Sequence, residues 1–226
     1  MDCMTAKHLI ITLDGPAGAG KSTVAQGLAK RLGVTYLDTG AMYRALTLKA
    51  LRLKTNLENE DDLAGLAAKT KIDFQAMPDG SLHVTLDGED VAEAIRSVEV
   101  TNNTFYTARA PKVREIMVNS QRAIASGRSI VCDGRDQGSV VFPSANYKFY
   151  VDADFEERVQ RRLRDLKKAN QPVDEAQLRT DMKDRDNKDF TRAVGPLKKA
   201  EGAIVIDSTG LSVDQTVDKI LRYIQA

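Results

Sequence analysis

The sequence predicts an α/β fold in which a five-stranded parallel sheet is flanked by helices. Three observations support this prediction. Short apolar or β-branched runs alternate with amphipathic helical patterns, which is typical of strand–helix–strand units. The length of 226 residues suits one α/β domain with inserts, or at most two small domains. Apolar residues make up 42% of the chain, which is enough to form a sizeable core.

Five short apolar runs predict the strands, and four longer periodic segments predict helices that pack on them. The predicted strands are residues 9–14, 34–38, 129–133, 147–152 and 203–207. The predicted helices are residues 21–33, 41–54, 155–170 and 212–225. Val24, Leu28 and Leu32 fall on one face of the first helix. Ser212 and Gln215 have the spacing of a capping box at the start of the last helix.

Residues 71–91 interrupt the alternation of strands and helices. Apolar and polar residues alternate there with a period of two, and Asp-Gly pairs at 79–80 and 87–88 stand where tight turns belong. This segment predicts a small antiparallel sheet inserted into the α/β core. A further helix is expected after it, opened by Pro111 and closed by Gly127.

The composition argues against several classes of partner and location. The 33 basic and 32 acidic side chains leave a net charge of +1, whereas proteins that coat nucleic-acid polymers are usually strongly basic. No apolar run approaches the roughly 18 residues that span a bilayer, and the first residues do not resemble a signal peptide. Cys3 and Cys132 form neither a metal-ligand spacing nor a disulfide framework. We therefore expect a cytoplasmic protein with no membrane or nucleic-acid partner.

The run GPAGAGKS, residues 15–22, matches the phosphate-loop pattern G-x-x-x-x-G-K-[ST] between a predicted strand and a predicted helix. Glycines let the backbone curl so that successive N–H groups face a phosphate, and the helix N-terminus adds positive potential. Lys21 is expected to reach the β- and γ-phosphates, and Ser22 to bind Mg²⁺. The run therefore predicts a site for a nucleoside triphosphate. A guanine-reading Asn-Lys-x-Asp motif fails at residues 187–190, which argues against a GTPase.

Charged residues follow two of the other predicted strands. The third predicted strand ends in Asp133-Gly134-Arg135-Asp136, and Arg44 follows the second. The carboxyl ends of parallel strands are where α/β sheets bind ligands. Asp133 also has the position of a carboxylate that supports the Mg²⁺ shell. Four further arginines are candidates to approach the phosphates, and spacing does not decide which of them faces inward: Arg158, Arg161, Arg162 and Arg185.

Motifs over nearly the whole chain resemble the bacterial cytidylate kinase family. They are ITLDGPAGAGKST, YLDTGAMYRAL, LDGEDVAEAIRSVEV, CDGRDQGSVVFP, YKFYVDA, RDNKDFTRAVGPLKKA and IDSTGLSVDQTV, in the family order. The resemblance implies transfer of the γ-phosphate of ATP to CMP and dCMP, with Mg²⁺. It also implies the nucleoside monophosphate kinase fold as one kinase unit, residues 1–226. Its core would be 1–38, 105–155 and 195–226, its monophosphate-binding region with the insert 39–104, and its lid about 156–194.

The resemblance also assigns roles to residues of this chain. The ATP phosphates would be bound by Gly15, Pro16, Ala17, Gly18, Ala19, Gly20, Lys21, Ser22 and Thr23, and the metal by Ser22 and Asp133. The CMP ligands would be Thr39, Tyr43, Arg44, Thr104, Arg114, Arg135, Asp136, Arg185, Asp189 and Arg192. Of these, Arg44 and Arg135 match phosphate ligands, and Asp136 matches a cytosine reader. Thr39, Gln137, Lys188 and Phe190 depart from the residues that are usual in the family.

Two alternatives remain open at the level of sequence. The first is another small-molecule kinase of this fold that acts on AMP, UMP or an acid such as shikimate. The second is a nucleotide-binding protein without transfer activity.

The phosphate oxygen of CMP that would accept the phosphoryl group is already anionic, so we expect no general base. Alignment and charge neutralisation would suffice, with Lys21, Arg158, Arg162 and Arg185 as the catalytic cations and the protein acting as a monomer.

Overall fold

The computed structural model describes residues 8–76, 82–168 and 171–225. The chain forms two compact units, one of Met1–Leu37 with Ala125–Ala226 and one of Asp38–Ile124. We call them the first unit and the second unit and describe each by itself. The assignment of stretches of the chain to core, monophosphate-binding region and lid stays a prediction.

The helices and strands alternate along the chain much as the sequence predicts. In chain order they are β1 (Ile10–Asp14), α1 (Lys21–Leu32), β2 (Thr35–Asp38), α2 (Thr39–Arg52), α3 (Glu60–Ala68), β3 (Ile72–Ala76), β4 (Leu82–Leu86), β5 (Glu89–Asp90), α4 (Val98–Arg109), α5 (Pro111–Ala125), β6 (Ile130–Gly134), β7 (Tyr147–Asp152), α6 (Phe155–Lys168), α7 (Glu175–Thr191), β8 (Ile204–Asp207) and α8 (Val213–Ile224). A short 3-10 turn covers Ala94–Arg96 and a π-helical turn covers Gln137–Val141. No helix within the described ranges is both long and apolar enough to cross a membrane.

The first unit contains the predicted five-stranded parallel sheet, in the order β2-β6-β1-β7-β8. Strand β1 pairs in parallel with β6 and with β7, and β7 pairs in parallel with β8. Ile11 and Leu13 of β1 are fully buried in a core that includes Leu28 of α1 and Ile220 of α8. The predicted capping box at Ser212 opens α8, which fixes the start of this helix.

Successive residues of a strand point to opposite faces of the sheet. Ile11 and Leu13 face the core that α1 and α8 cover, so Thr12 and Asp14 face the other way. The π-helical turn packs on that second face, where a Cβ added to Gly138 would lie 2.8 Å from the Thr12 Oγ. The turn is therefore placed directly beside the end of β1.

The second unit contains the predicted antiparallel sheet, which has three strands in the order β3-β4-β5. Asp87 and Gly88 form the turn between β4 and β5 with φ angles of 53° and 92°, the left-handed geometry that a tight hairpin requires. The other predicted turn, at 79–80, lies outside the described residues. The apolar side of the sheet packs with α2 residues such as Ala45.

Three helices in the structure have no counterpart in the sequence prediction: α3, α4 and α7. Each begins at a polar N-cap whose side chain accepts backbone N–H groups, namely Asn59, Ser97 and Asp174. Helix α7 has few apolar residues, and Met182 is its buried one. Met182 packs with Val159 and Leu163 of α6, so tertiary contact rather than periodicity positions α7.

Candidate active site

The phosphate loop connects β1 to α1, and its backbone leaves donors open to an anion. Gly15, Gly18 and Gly20 all have positive φ angles, of 150°, 78° and 84°. Gly20 is the N-cap of α1 and provides no side-chain cap, so the first N–H groups of the helix have no partner within it. Such donors, together with the helix dipole, suit an anion such as phosphate.

Lys21 is almost completely buried, with 5% of its surface exposed, and its Nζ donates to the Pro16 carbonyl at 2.7 Å. The pKa of Lys21 is lowered to about 7, first by burial and then by the nearby positive charge of Arg135. Asp133 and Asp189 oppose this shift without reversing it. In this arrangement the ammonium lies against its own loop and has a proton that can be lost near neutral pH.

Ser22 and Asp133 lie together as predicted for a metal site. The Ser22 hydroxyl donates to Asp133 Oδ2 at 2.7 Å, and the Tyr36 hydroxyl donates to Asp133 Oδ1 at 2.8 Å. Hydroxyl and carboxylate oxygens suit Mg²⁺, which usually takes one or two protein ligands and completes its shell with phosphates and water. Among the described residues there is no cluster of three or more His, Cys, Asp or Glu side chains that could hold a metal ion. Sequence reasoning missed Tyr36.

Asp14, also missed from the sequence, joins β1 to the π-helical turn. Its two carboxylate oxygens accept the N–H groups of Gln137 and Gly138, each at 2.8 Å. The pKa of Asp14 is raised to about 6, chiefly by burial and also by the charge of Asp136, although the two N–H groups oppose the rise. The rule that singled out Asp133, a charge at the carboxyl end of a parallel strand, applies equally to Asp14 and would have found it.

The predicted CMP ligands of the first unit form pairs of opposite charge. Arg135 Nε donates to Asp189 Oδ2 at 2.7 Å. Burial favours the neutral acid at Asp189, but Arg135 and Arg185 outweigh it and hold the pKa of Asp189 below its ordinary value. Arg192 lies 3.6 Å from the Asp136 carboxylate, and both side chains are 5% exposed. The structure thus brings these residues together on the segment after β6 and at the end of α7.

The structure distinguishes the arginines that spacing could not. Arg158 donates to the Ala17 carbonyl at 3.0 Å and to Asp186 at 2.6 Å. Arg161 donates to the Ala19 carbonyl of the same loop at 3.2 Å. Arg162 is half-buried and has no hydrogen bond or ion pair among the described residues. Arg185 is half-buried and close enough to Lys21 to affect its pKa.

The predicted CMP ligands of the second unit lie on α2, α4 and α5. Arg44 pairs with Asp38 at 2.9 Å. The Arg114 guanidinium lies over the Tyr43 ring, 5.8 Å from its centre, and both side chains are buried. Thr39 is buried as well. The Thr104 hydroxyl donates to the Val100 carbonyl one helical turn earlier at 2.7 Å.

Known proteins resemble this chain over the segments that contain the candidate site residues. The sequence model described as cytidylate kinase matches residues 11–226, which include the phosphate loop and the segments around Arg44, Arg135 and Arg192. The chain belongs to the cytidylate kinase family.

Relatives within the cytidylate kinase family match along almost their full length. The cytidylate kinase of Caldanaerobacter subterraneus subsp. tengcongensis is 46% identical over 215 residues, covering 95% of this chain and 94% of the relative. That of Anoxybacillus flavithermus is 47% identical over 219 residues, covering 97% of each. That of Vibrio cholerae serotype O1 is 44% identical over 224 residues, covering 99% of each.

Solved structures with a similar fold are far more distant in sequence. A shikimate kinase from Bacteroides thetaiotaomicron is similar with a TM-score of 0.50 at 13% identity, covering 96% of this chain and 99% of that one. An uncharacterized protein from Eubacterium ventriosum is similar with a TM-score of 0.55 at 16% identity, covering 97% and 99%. At these identities the similarity shows the fold alone.

The residues that depart from the usual cytidylate kinase pattern have different environments. Lys188 and Phe190 are exposed on α7, and Phe190 retains 48% of its surface. Gln137 is instead buried, with 2% exposed, and its backbone N–H is one of the two that Asp14 accepts. Thr39 remains buried with its hydroxyl at the start of α2. Gln137 and Thr39 are therefore the two departures that are buried.

Proposed function

We propose that this protein is an ATP-dependent cytidylate kinase that converts CMP to CDP, and dCMP to dCDP, by direct phosphoryl transfer. The observation that supports it is the phosphate loop with Lys21 beside the Ser22–Asp133 pair, in a chain of the cytidylate kinase family. We further propose that the protein acts as a cytoplasmic monomer.

The donor site that we propose is the loop of residues 15–23. Its backbone N–H groups and the N-terminus of α1 would bind the ATP phosphates, with Lys21 leaving the Pro16 carbonyl to reach the β- and γ-phosphates. Ser22 and Asp133 would hold Mg²⁺, which supplies neutralising charge on the phosphate oxygens. Tyr36 would orient the Asp133 carboxylate through its hydroxyl.

In the first unit, we assign Arg135 and Arg192 to the CMP phosphate and Asp136 to the cytosine amino group. Arginine suits this task because its planar fork stays charged and binds phosphate bidentately. The Arg135–Asp189 pair at 2.7 Å would hold the guanidinium in one orientation before the substrate arrives. Asp189 and Arg185 complete the assignment at the ribose and phosphate.

In the second unit, we assign Arg44 to the acceptor phosphate, and Thr39, Tyr43, Thr104 and Arg114 to the nucleoside. The contact between Arg114 and the Tyr43 ring would hold the guanidinium in place to donate to ring acceptors of cytosine. UMP presents the opposite hydrogen-bonding pattern at C4. Buried polar side chains that hydrogen-bond to the base reject such an analogue strongly, because the analogue leaves these side chains unpaired.

The transfer step needs alignment and charge neutralisation rather than proton abstraction, because the attacking phosphate oxygen is already anionic. Lys21, Arg158, Arg162 and Arg185 would stabilise the charge on the transferred group. Arg162 would have no hydrogen bond or ion pair with a described residue to exchange first. Arg158 would have to exchange its contacts with Ala17 and Asp186.

A coupled ADP-release assay with ATP and one acceptor at a time tests this function. We expect turnover with CMP and dCMP, poor turnover with UMP, AMP and GMP, and none with shikimate. Lys21→Met should lose activity, whereas Lys30→Met, on the same helix, serves as the matched control. Equal rates for UMP and CMP would refute the cytosine assignment. Turnover of shikimate alone would identify the rival kinase, and no turnover of any acceptor would favour a nucleotide-binding protein without transfer activity.

A further inference from the structure

Three side-chain cations donate to carbonyl groups of the phosphate loop. The pairs are Lys21 with Pro16 at 2.7 Å, Arg158 with Ala17 at 3.0 Å and Arg161 with Ala19 at 3.2 Å. A trans peptide is planar, so the carbonyl of one residue and the N–H of the next point in opposite directions. A cation that fixes a loop carbonyl on one side therefore fixes the following N–H on the other side.

The Ala19 carbonyl has a second polar group beside it. The Ser208 hydroxyl lies 3.2 Å from the Ala19 carbonyl and 2.9 Å from the Asp152 carbonyl, and its single proton can be donated to only one of them. The same hydroxyl accepts an N–H of Arg161 at 3.1 Å. Ser208 is 1% exposed and follows β8, and Arg161 also donates to its carbonyl at 2.6 Å. The Arg161 guanidinium thus ties the loop after β1 to the residue after β8.

Arg161 has little capacity left to bind a phosphate itself. Its Nε donates to Glu157 at 3.0 Å, and its other contacts are the Ala19 carbonyl and the hydroxyl and carbonyl of Ser208. These contacts use four of the five N–H groups of a guanidinium. The Glu157 carboxylate also compensates its charge. Arg161 is therefore placed to act through the loop and not on the substrate.

The N–H that follows the Ala19 carbonyl belongs to Gly20, the N-cap of α1. Gly20 has a φ of 84°, and a Cβ added there would lie 3.4 Å from a terminal nitrogen of Arg161. The guanidinium consequently lies directly beside this peptide. Building on the proposed function, we propose that Arg161 and Ser208 are positioning residues that orient the Ala19–Gly20 peptide so that the Gly20 N–H faces the donor phosphates.

The test measures the binding of inorganic tripolyphosphate and of ATP by titration calorimetry, together with the KM for each substrate and the melting temperature. Arg161→Gln removes the guanidinium that donates to the Ala19 carbonyl, and Ser208→Ala removes the hydroxyl that accepts from this guanidinium. We expect Arg161→Gln to weaken tripolyphosphate and ATP binding about tenfold, the value of roughly one hydrogen bond, with the KM for CMP within about twofold. Arg161→Lys keeps the positive charge but not the planar guanidinium with its several N–H groups. It should therefore recover only part of the lost affinity for tripolyphosphate and ATP.

Arg164→Ala is the matched control, because Arg164 is on the same helix and its side chain is 63% exposed. It should bind tripolyphosphate as the unaltered protein does. Because Arg161 and Ser208 contact each other beside one peptide, the double variant should lose less affinity for tripolyphosphate than the sum of the two single losses.

Three results would overturn the positioning role. They are unaltered tripolyphosphate binding by Arg161→Gln, equal weakening of ATP and CMP, and full recovery by Arg161→Lys. If Arg161→Gln does not fold, Ser208→Ala decides by the same readouts. Failure of the unaltered protein to bind tripolyphosphate or to phosphorylate CMP would instead refute the proposed function, which keeps the two failures distinct.

Discussion

The ammonium of Lys21 lies 2.7 Å from the carbonyl oxygen of Pro16, in the same loop that we propose binds ATP. In this position the side chain satisfies a loop carbonyl, and its pKa is lowered to about 7, first by burial. A triphosphate would favour the charged form and raise that pKa again.

We therefore expect ATP binding at about pH 8 to be accompanied by uptake of a proton at Lys21. Calorimetry in two buffers of different ionisation enthalpy measures this uptake. Lys21→Met is the control that removes the group, and its uptake should be smaller by up to about one proton. The KM for ATP should rise as the pH increases through 7, because the free protein loses the charge. Identical uptake in both proteins would contradict the lowered pKa.

Gly15→Ala should prevent stable folding of the first unit. A Cβ at Gly15 would lie 1.9 Å from the Val151 carbonyl oxygen, a backbone atom of β7 that cannot move aside. We expect a loss on the order of 4 kcal/mol in the free energy of unfolding. Gly202→Ala is the matched control, since Gly202 also has a positive φ of 71° but meets no atom within 4 Å. Gly202→Ala should lower the free energy of unfolding by about 1 kcal/mol. Equal losses of this free energy for the two variants in urea titrations would reject the steric explanation.

Arg135→Ala should raise the KM for CMP and lower kcat, while the affinity for ATP hardly changes. Removing a preorganised phosphate ligand should cost about 2–4 kcal/mol of transition-state stabilisation. Steady-state kinetics with each substrate varied in turn measure this effect. Arg128→Ala, at an exposed position of the first unit, should be neutral. Kinetics of Arg135→Ala like those of the unaltered protein would exclude Arg135 from the acceptor site.

Asp14 should make stability fall as the pH rises from about 4 to 6. Its pKa in the folded protein is about 6, above the ordinary value of 3.8, so the folded state binds more protons than the unfolded state in this window. The contribution of Asp14 should therefore be greatest in acid and decrease by about 2 kcal/mol between pH 4.5 and 7.5. Urea unfolding of the unaltered protein and of Asp14→Asn isolates this contribution. The same pH dependence in both proteins would contradict the raised pKa.

Much of the fold could be predicted because the signals are local. Strand β7 has the predicted bounds of 147–152, and α8 begins behind the predicted capping box. Helix α2 begins at Thr39, two residues before the predicted start, because Asp38 caps it by accepting the Ala41 N–H at 2.8 Å. Helix α7 escaped prediction because its face carries almost no apolar periodicity.

The site could be predicted in part. The phosphate loop is a contiguous pattern whose glycines, lysine and serine each have a local reason, and the sequence by itself determined it, together with the resemblance to cytidylate kinases. The partners of those residues were decided by the tertiary structure. Asp14 lies more than 120 residues from the N–H groups it accepts, and Arg161 lies 142 residues from Ala19. The pKa of a side chain and the orientation of a loop carbonyl depend on which groups lie next to them and on how much water is excluded there. Only the folded sheet brings those groups together.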